Sequence, residues 1–175
     1  AMSGDGRTVA LYDASYFSGT GAALIFDYDG TTWQQQGVVE IADGTRFCNF
    51  YRATLDGDGD VFAVVERVGC GGGEVVMFAR EGDTWTQQTR FGPTEAVLGQ
   101  FGNSLALTGD GRRLVVTAPD PRGDRTFFFA DAGAGAWVGQ DIVEFPTDEA
   151  RQCNALGLSA SGATTLLGCG SDSSP

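Results

Sequence analysis

Three tryptophans divide this sequence at equal intervals. Trp33, Trp85 and Trp137 stand 52 residues apart, and a short Gly-containing stretch precedes each of them. Landmarks that recur at a fixed interval of this length indicate an internal repeat. The repeat constrains the fold more strongly than any local pattern does, because every copy must form the same structural unit.

Other landmarks recur in the same order and support the repeat. A turn rich in Gly and Asp or Ser is followed each time by a short apolar run, and an Asn stands seven residues before the Asp or Ser of three of the turns. A partly aromatic apolar run precedes each Trp. The four turns lie at residues 4–6, 56–59, 109–111 and 161–162.

Each repeat predicts four β-strands and no helix. The apolar runs are short, rich in Val, Phe, Leu and Thr, and bounded by Gly and Asp, and no window carries the apolar spacing of a helix. In the third repeat the strands are predicted at 104–108, 114–118, 126–130 and 137–144. The second strand is apolar on both faces, as expected between two neighbouring sheets. Four antiparallel strands in a repeat of this length predict an all-β fold made of β-propeller blades.

The chain is predicted to be a single propeller, or a segment of one, across residues 1–175. The repeats run approximately over 3–48, 49–100, 101–152 and, in part, 153–175. Closed propellers have about four to eight blades, whereas this length accommodates about 3.4. The chain could be a segment of a longer propeller, pair with a second copy, or form an open arc with capped ends. We expect association, with a second copy or with the remainder of a larger propeller chain.

The charge and composition exclude several classes of function. The net charge is −12, every basic residue is Arg, and His is absent. An acidic chain is a poor partner for nucleic acid or an anionic membrane surface, and no apolar stretch is long enough to insert into a membrane. Without His there can be no Ser-His-Asp or Cys-His catalytic group and no His-ligated zinc. An enzyme built from this chain would have to use carboxylates, Tyr, Arg or Cys.

The four cysteines favour two disulfides within repeats. Cys48 and Cys153 occupy the same place in their repeats, and Cys70 and Cys169 both lie near the end of a second strand. The repeat that lacks one member of this pair lacks both. We therefore predict Cys48–Cys70 and Cys153–Cys169 bridges among the three possible connectivities, with four buried thiols as the alternative. The bridges predict an extracellular, cell-surface or periplasmic protein.

The stretch from Phe101-Gly102 to Gly109-Asp110-Gly111, followed by Ala118-Pro119, resembles the FG-GAP repeat. That repeat builds integrin-α-type β-propellers, and Asp29–Gln36 is similar to its secreted microbial and algal members. The resemblance is specific in the third repeat only, since Cys48 and Cys153 stand where Gly102 does. It implies a propeller fold and a role in extracellular adhesion.

The resemblance also suggests a calcium site. Some members of the family bind calcium between the first and second strands through acidic residues at alternate positions. Asp56, Asp58 and Asp60 show that alternation, although the later Asp of a full loop is missing. The alternative is a Gly-rich hairpin turn with solvated carboxylates.

The predicted function is a non-catalytic extracellular propeller that acts as an adhesion, structural or recognition module and binds a protein or glycan. Its ligand is expected on loops at 13–21, 68–73 or 120–124. The alternative is a carbohydrate-binding or carbohydrate-active propeller. The Asp box of sialidases is only partly matched, because Tyr28 and Arg80 replace its defining Asp. Trp33, Trp85 and Trp137 are predicted to be structural residues that pack between blades.

Overall fold

The computed structural model describes residues 1–13, 22–40, 52–67, 73–93, 101–119, 123–145 and 151–171, and in these ranges it contains strands and turns but no helix. The strands are short and each is bounded by turns that contain Gly, Asp or Ser, as the sequence predicts. They are β1 (Thr8–Asp13), β2 (Ala22–Tyr28), β3 (Trp33–Glu40), β4 (Ala53–Leu55), β5 (Val61–Arg67), β6 (Gly73–Glu81), β7 (Thr84–Phe91), β8 (Ser104–Leu107), β9 (Arg113–Ala118), β10 (Asp124–Asp131), β11 (Trp137–Phe145), β12 (Arg151–Leu158) and β13 (Thr165–Ser171).

The strands form four antiparallel sheets in chain order, which confirms the predicted all-β propeller architecture. The second sheet (β4–β7) and the third sheet (β8–β11) have four strands each, in the order of the sequence. The first sheet has β1, β2 and β3, with a bridge from Met2 to Val9 where an innermost strand would pair. The fourth sheet has β12 and β13 in the described residues. The four strands predicted for the third repeat correspond to β8, β9, β10 and β11.

The repeat is preserved in the details of strand pairing. Strands β2, β6 and β10 hold the same place in the first three sheets, and each has a register shift at the same point. The shifts lie between Ile25 and Phe26, between Met77 and Phe78, and between Phe128 and Phe129. A β-bulge of this kind bends a strand and increases its twist. The three sheets are therefore structural copies of one another, and residues can be compared position by position.

Apolar side chains fill the space between successive sheets. We call the side of a sheet that is turned to the preceding sheet its leading face, and the side turned to the following sheet its trailing face. One buried cluster joins the trailing face of the first sheet to Phe62 and Val64 of the second. Another joins the trailing face of the second sheet to Leu114 and Val116 of the third. The second strand of the second sheet, β5, is buried on both faces because it lies between these two clusters, and each large side chain buried there contributes about 1.5–3 kcal/mol.

The turns between the first and second strands connect the sheets through their backbones. The amide of Gly4 donates to the carbonyl of Asp56, that of Gly57 to Gly109, and that of Gly109 to Ala160, at 2.8–3.1 Å. A Cβ atom on Gly57 would lie 2.5 Å from the carbonyl oxygen of Gly109, so only glycine permits this approach. These hydrogen bonds form what we call the turn seam.

The fourth sheet contains the predicted Cys153–Cys169 disulfide. The two residues are cross-strand partners in β12 and β13, with Cα atoms 4.0 Å apart. The bridge therefore forms within one repeat, as predicted. Cys48 and Cys70 lie outside the described residues, and their pairing stays a prediction. Because persistent disulfides require an oxidising environment, the bridge indicates that the chain works in an oxidising compartment.

Candidate functional site

The two ends of the sheets differ in their connections. At one end, which we call the turn end, tight turns join the first strand to the second and the third to the fourth. At the other, the loop end, the chain runs from β1 to β2, from β5 to β6 and from β9 to β10, and also enters β4, β8 and β12. The candidate ligand loops at 13–21, 68–73 and 120–124 belong to the loop end. Most of their residues lie outside the described ranges, so the site is built here from the strand ends that frame them.

Arg52 lies at the loop end on the inner side of the arc. It immediately precedes β4, and β4, β8 and β12 are the strands that contact each other between the second, third and fourth sheets. The side chain is exposed, and its Nε donates to the carbonyl oxygen of Asn103 at 3.0 Å. That bond fixes the guanidinium across the boundary between two sheets. An arginine held in this way presents a planar set of N–H donors suited to an anionic oxygen.

A buried ion pair lies between the strands of the second sheet near the same end. The Glu66 side chain in β5 is 0% exposed, and its Oε2 is 2.6 Å from Nη2 of Arg90 in β7. Nη1 of Arg90 is 3.4 Å from Oε2 of Glu74, the residue paired with Glu66 across β5 and β6. Arg90 thus neutralises two carboxylates that would otherwise face each other. Sequence reasoning missed this group, although Glu66 and Arg90 stand at positions where the third repeat has Ala118 and Ile142.

Two acidic residues at the loop end have structural partners. Asp124 begins β10, is buried, and accepts a hydrogen bond at Oδ2 from the backbone amide of Cys153, with a donor–acceptor distance of 2.6 Å. Glu144 pairs with Arg125 at 3.1 Å between Oε1 and Nε. Asp124 therefore connects the third sheet to the fourth.

The candidate calcium residues lie together at the turn end, in the turn between β4 and β5. Oδ1 of Asp56 accepts hydrogen bonds from the amides of Gly59, Asp60 and Val61, at 2.9–3.0 Å. Asp58 and Asp60 are exposed. In the part of the chain that the structure describes, no group of three His, Cys, Asp or Glu side chains is arranged to hold a metal ion. One oxygen of Asp56 is thus already used by its own turn, and calcium binding stays a prediction.

Asp56 differs from its equivalents in the other three turns. Each of the four turns is closed by a hydrogen bond from the amide of its first residue to the carbonyl five residues later. That first residue is Asp56 in the second turn, and it is Ser3, Thr108 and Ser159 in the others. The Ser3 hydroxyl donates to Asp5 at 2.6 Å and the Thr108 hydroxyl to Asp110 at 2.5 Å, which lowers the pKa of both aspartates. In the second turn two carboxylates meet instead. Burial first, and then the hydrogen bond and charge of Asp58, raise the pKa of Asp56 to about 6.

The three tryptophans each open, or nearly open, a fourth strand. The Trp137 ring stacks on Phe91 of the second sheet. Trp85 joins the cluster between the first two sheets, and its Cδ1 lies 3.7 Å from the place of a Cβ on Gly37. Trp33 belongs to the first described sheet, contacts Tyr28, and is 44% exposed. Two of the rings are therefore placed at sheet boundaries, and the third lies on the exposed leading face of the first described sheet.

No helix among the described residues is long and apolar enough to cross a membrane. Comparison with known proteins finds no matching sequence family and no matching curated protein.

Solved structures are similar in fold. The periplasmic gluconolactonase PpgL of Pseudomonas aeruginosa is 21% identical with a TM-score of 0.55, over 84% of this chain and 39% of that one. A Bacteroides fragilis protein assigned as a 6-phosphogluconolactonase is 13% identical with a TM-score of 0.64, over 95% and 46%. TolB of Acinetobacter baumannii is 12% identical with a TM-score of 0.56, over 99% and 37%. This chain thus spans less than half the length of each.

These similarities contradict the predicted function. The prediction was a non-catalytic adhesion or recognition module and not an enzyme, whereas two of these neighbours are named as lactonases. The alternative, a carbohydrate-binding or carbohydrate-active (sialidase-like) propeller, stays a prediction. Missing histidine was a weak argument against catalysis, because it excludes particular mechanisms and leaves carboxylates and arginine available. The FG-GAP resemblance stays a prediction, since no sequence family matches.

Proposed function

We propose that this chain forms part of a propeller hydrolase that opens the ring ester of a sugar lactone. The observation that carries the proposal is the likeness in fold to proteins named as a gluconolactonase and a 6-phosphogluconolactonase, which extends over most of this chain. We also propose that it works in the periplasm or outside the cell. The Cys153–Cys169 disulfide supports that compartment, and PpgL is named as periplasmic.

Hydrolysis of a lactone requires two functional groups from the protein. A water molecule adds to the lactone carbonyl, the bond between the acyl carbon and the ring oxygen breaks, and the ring oxygen takes a proton to give a hydroxy acid. The site must supply a donor to the carbonyl oxygen as negative charge develops there, and a base for the water. With no histidine in the chain, the base from these repeats would be a carboxylate, Tyr or Cys.

Arg52 is the described residue best placed for the donor role. It is exposed, it lies on the inner side of the loop end, and the Asn103 carbonyl fixes its Nε. Its guanidinium suits a carbonyl oxygen that gains charge, or the phosphate or carboxylate of a sugar acid. Glu66 is fully enclosed and paired with Arg90, so in this proposal the pair supports the adjoining strand ends and does not contact substrate.

The test is turnover of glucono-1,5-lactone and of its 6-phosphate, followed by acid release at constant pH and corrected for spontaneous hydrolysis. Arg52→Ala is expected to lower kcat/KM by roughly a hundredfold, the usual effect of removing one charge-stabilising donor. Arg112→Ala is the matched control, because Arg112 is an equally exposed arginine at the turn end. No acceleration of either lactone, or equal losses in the two variants, would overturn the proposal.

A further inference from the structure

Three successive backbone amides meet at Thr117 of β9, where the chain enters the third sheet. The amides of Gly102 and Asn103 both donate to the Thr117 carbonyl oxygen, at 3.0 Å each. The next amide, that of Ser104, donates to the Thr117 hydroxyl at 3.0 Å. Two residues that oppose a single residue form a β-bulge, which gives the groups it carries a new direction. Thr117 thus fixes this bulge through both its backbone and its side chain.

The bulge carries the acceptor that fixes Arg52. The Nε–H of Arg52 donates to the Asn103 carbonyl oxygen at 3.0 Å, across the boundary between the second and third sheets. That carbonyl and the Ser104 amide belong to the same peptide group, whose atoms lie in one plane. The Thr117 hydroxyl holds the amide side of this plane, so it also sets the direction of the carbonyl on the other side.

The second sheet shows that packing alone does not require this hydroxyl. Val65 of β5 has the place of Thr117, because it follows Asp56 at the same distance along the chain as Thr117 follows Thr108. Both side chains are buried, Val65 at 0% and Thr117 at 1% exposure. Valine and threonine have nearly the same shape and differ in the hydroxyl, so the threonine in the third sheet indicates a role in hydrogen bonding.

Val65 fixes the other half of the contact. Its amide donates to the Arg52 carbonyl oxygen at 2.9 Å. Its side chain lies against Gly102, which has a φ of +85°, and a Cβ atom on Gly102 would overlap that side chain. The backbone of Arg52 and the bulge therefore both rest on one buried residue, which leaves the angle of the peptide plane between Asn103 and Ser104 for Thr117 to set.

We propose that the Thr117 hydroxyl positions the Arg52 guanidinium, an inference that rests on the proposed function of Arg52 as a donor to the lactone carbonyl. Its hydrogen bond to the Ser104 amide holds the peptide plane at the angle at which the Asn103 carbonyl accepts Nε. With Nε bound in this way, the Nη groups keep one plane and one direction for the substrate oxygen. A donor fixed in advance needs no reorganisation when charge develops on that oxygen. Thr117 itself is buried and does not contact the substrate.

The first test measures the Arg52 contact directly and does not depend on turnover. Heteronuclear NMR follows hydrogen exchange of the Arg52 Nε–H in the whole chain, and Arg52→Lys identifies its signal. We expect Thr117→Val, which keeps the shape but removes the hydroxyl, to accelerate this exchange about tenfold. Thr117→Ser keeps the hydroxyl and should exchange as the parent does. Thr108→Val is the matched control, because the buried Thr108 hydroxyl also accepts a backbone amide at 3.0 Å, but at the turn end.

The second test asks whether the contact serves the reaction. If Arg52 donates to the lactone, Thr117→Val should lower kcat/KM by about tenfold or more, since a donor that is out of place loses much of its effect. On an Arg52→Ala background the same substitution should change kcat/KM little, because a residue that acts through Arg52 then has nothing to position. Thr117→Ser should retain the parent value.

The outcomes separate this inference from the proposed function. A parent chain without lactone turnover contradicts the proposed function, whereas exchange of the Arg52 Nε–H still decides the positioning role. Faster exchange in Thr117→Val alone supports that role. Unchanged exchange in Thr117→Val, an equal increase in Thr108→Val, or a loss of kcat/KM that persists on the Arg52→Ala background overturns it. Should Thr117→Val fail to fold, Thr117→Ala, which admits water to the Ser104 amide, is measured in its place with the same expected direction.

Discussion

Trp137 of β11 stacks on Phe91 of β7 across the boundary between the third and second sheets, with ring centroids 6.0 Å apart and planes inclined by 15°. Trp85 makes the corresponding approach from the second sheet to the first. Trp33 has the same position in its sheet, but it is exposed and contacts Tyr28 of its own sheet. The three residues at one interval in the sequence therefore have two different environments.

These environments predict different losses on truncation. Trp85→Ala should lower the free energy of unfolding by roughly 3–5 kcal/mol, because it leaves a cavity between two sheets. Trp33→Ala removes the same side chain from an exposed face and should cost less than about 1 kcal/mol. Urea denaturation followed by circular dichroism measures both. Equal losses in the two variants would contradict an inter-sheet role for Trp85.

Removal of Arg90 should be strongly destabilising, since it takes away the cation that lies 2.6 Å from the enclosed Glu66 carboxylate. We expect Arg90→Met to cost about 3–5 kcal/mol, as is typical when one partner of a buried pair is removed. The double variant Arg90→Met, Glu66→Leu should recover most of that loss, because the enclosed carboxylate is then removed together with the arginine. If the double variant is as unstable as the single one, packing rather than charge explains the effect.

Asp56 should make the stability of the chain depend on pH. Its pKa is raised from 3.8 to about 6 in the folded protein, so the folded state binds more protons than the unfolded state between those values. Its contribution to stability is therefore present at low pH and is lost as pH rises through about 6.

Asp56→Ser installs the residue found in the first and fourth turns, where a hydroxyl donates to the neighbouring side chain or lies close to it. The substitution removes the acceptor of the Gly59 and Asp60 amides, and its effect on stability should be more favourable at pH 8 than at pH 4.5 by about 1–2 kcal/mol. Urea denaturation at the two pH values measures the difference. The matched control is Thr108→Ser, which preserves a hydroxyl and should show no such dependence. An effect of Asp56→Ser that is the same at both pH values would contradict this account.

The Cys153–Cys169 bridge should stabilise the fourth sheet, which has only two described strands. Replacement of both residues by Ala is expected to cost about 3 kcal/mol, because the bridge closes a loop of 16 residues in the unfolded chain. Thermal denaturation of the parent with and without a reducing agent gives an independent measure. A melting temperature that is unchanged in the double variant would show that the bridge does not limit stability.

The repeat made most of the fold predictable. Strand positions, the absence of helix in the described ranges and the pairing of Cys153 with Cys169 all follow from patterns that recur, so that each copy tests the others. The Glu66–Arg90 pair could not be found in this way. Arg90 aligns with Ile142 in the third sheet and Glu66 with Ala118, so the pair is a local departure from the repeat. A comparison of repeats that looks only for shared residues overlooks positions such as these, where one repeat differs from the others.

Function was harder to predict than fold for a physical reason. The repeated positions are the ones that pack sheets together, and they carry no information about a ligand. Residues proposed to bind one, such as Arg52, lie at strand ends beside connections that vary between repeats. Composition indicated which mechanisms are unavailable, but it could not decide between a binding module and an enzyme.

The turn seam has a consequence for how such a chain can evolve. Its hydrogen bonds run from the backbone of one turn to the backbone of the next and require little more than glycine at the close approach. When a gene segment encoding one whole unit is duplicated or deleted, the turns that become neighbours can form the same backbone hydrogen bonds. The number of units can then change in a single genetic event, without coordinated substitutions at the new junction, while the strand ends at the opposite edge diverge freely.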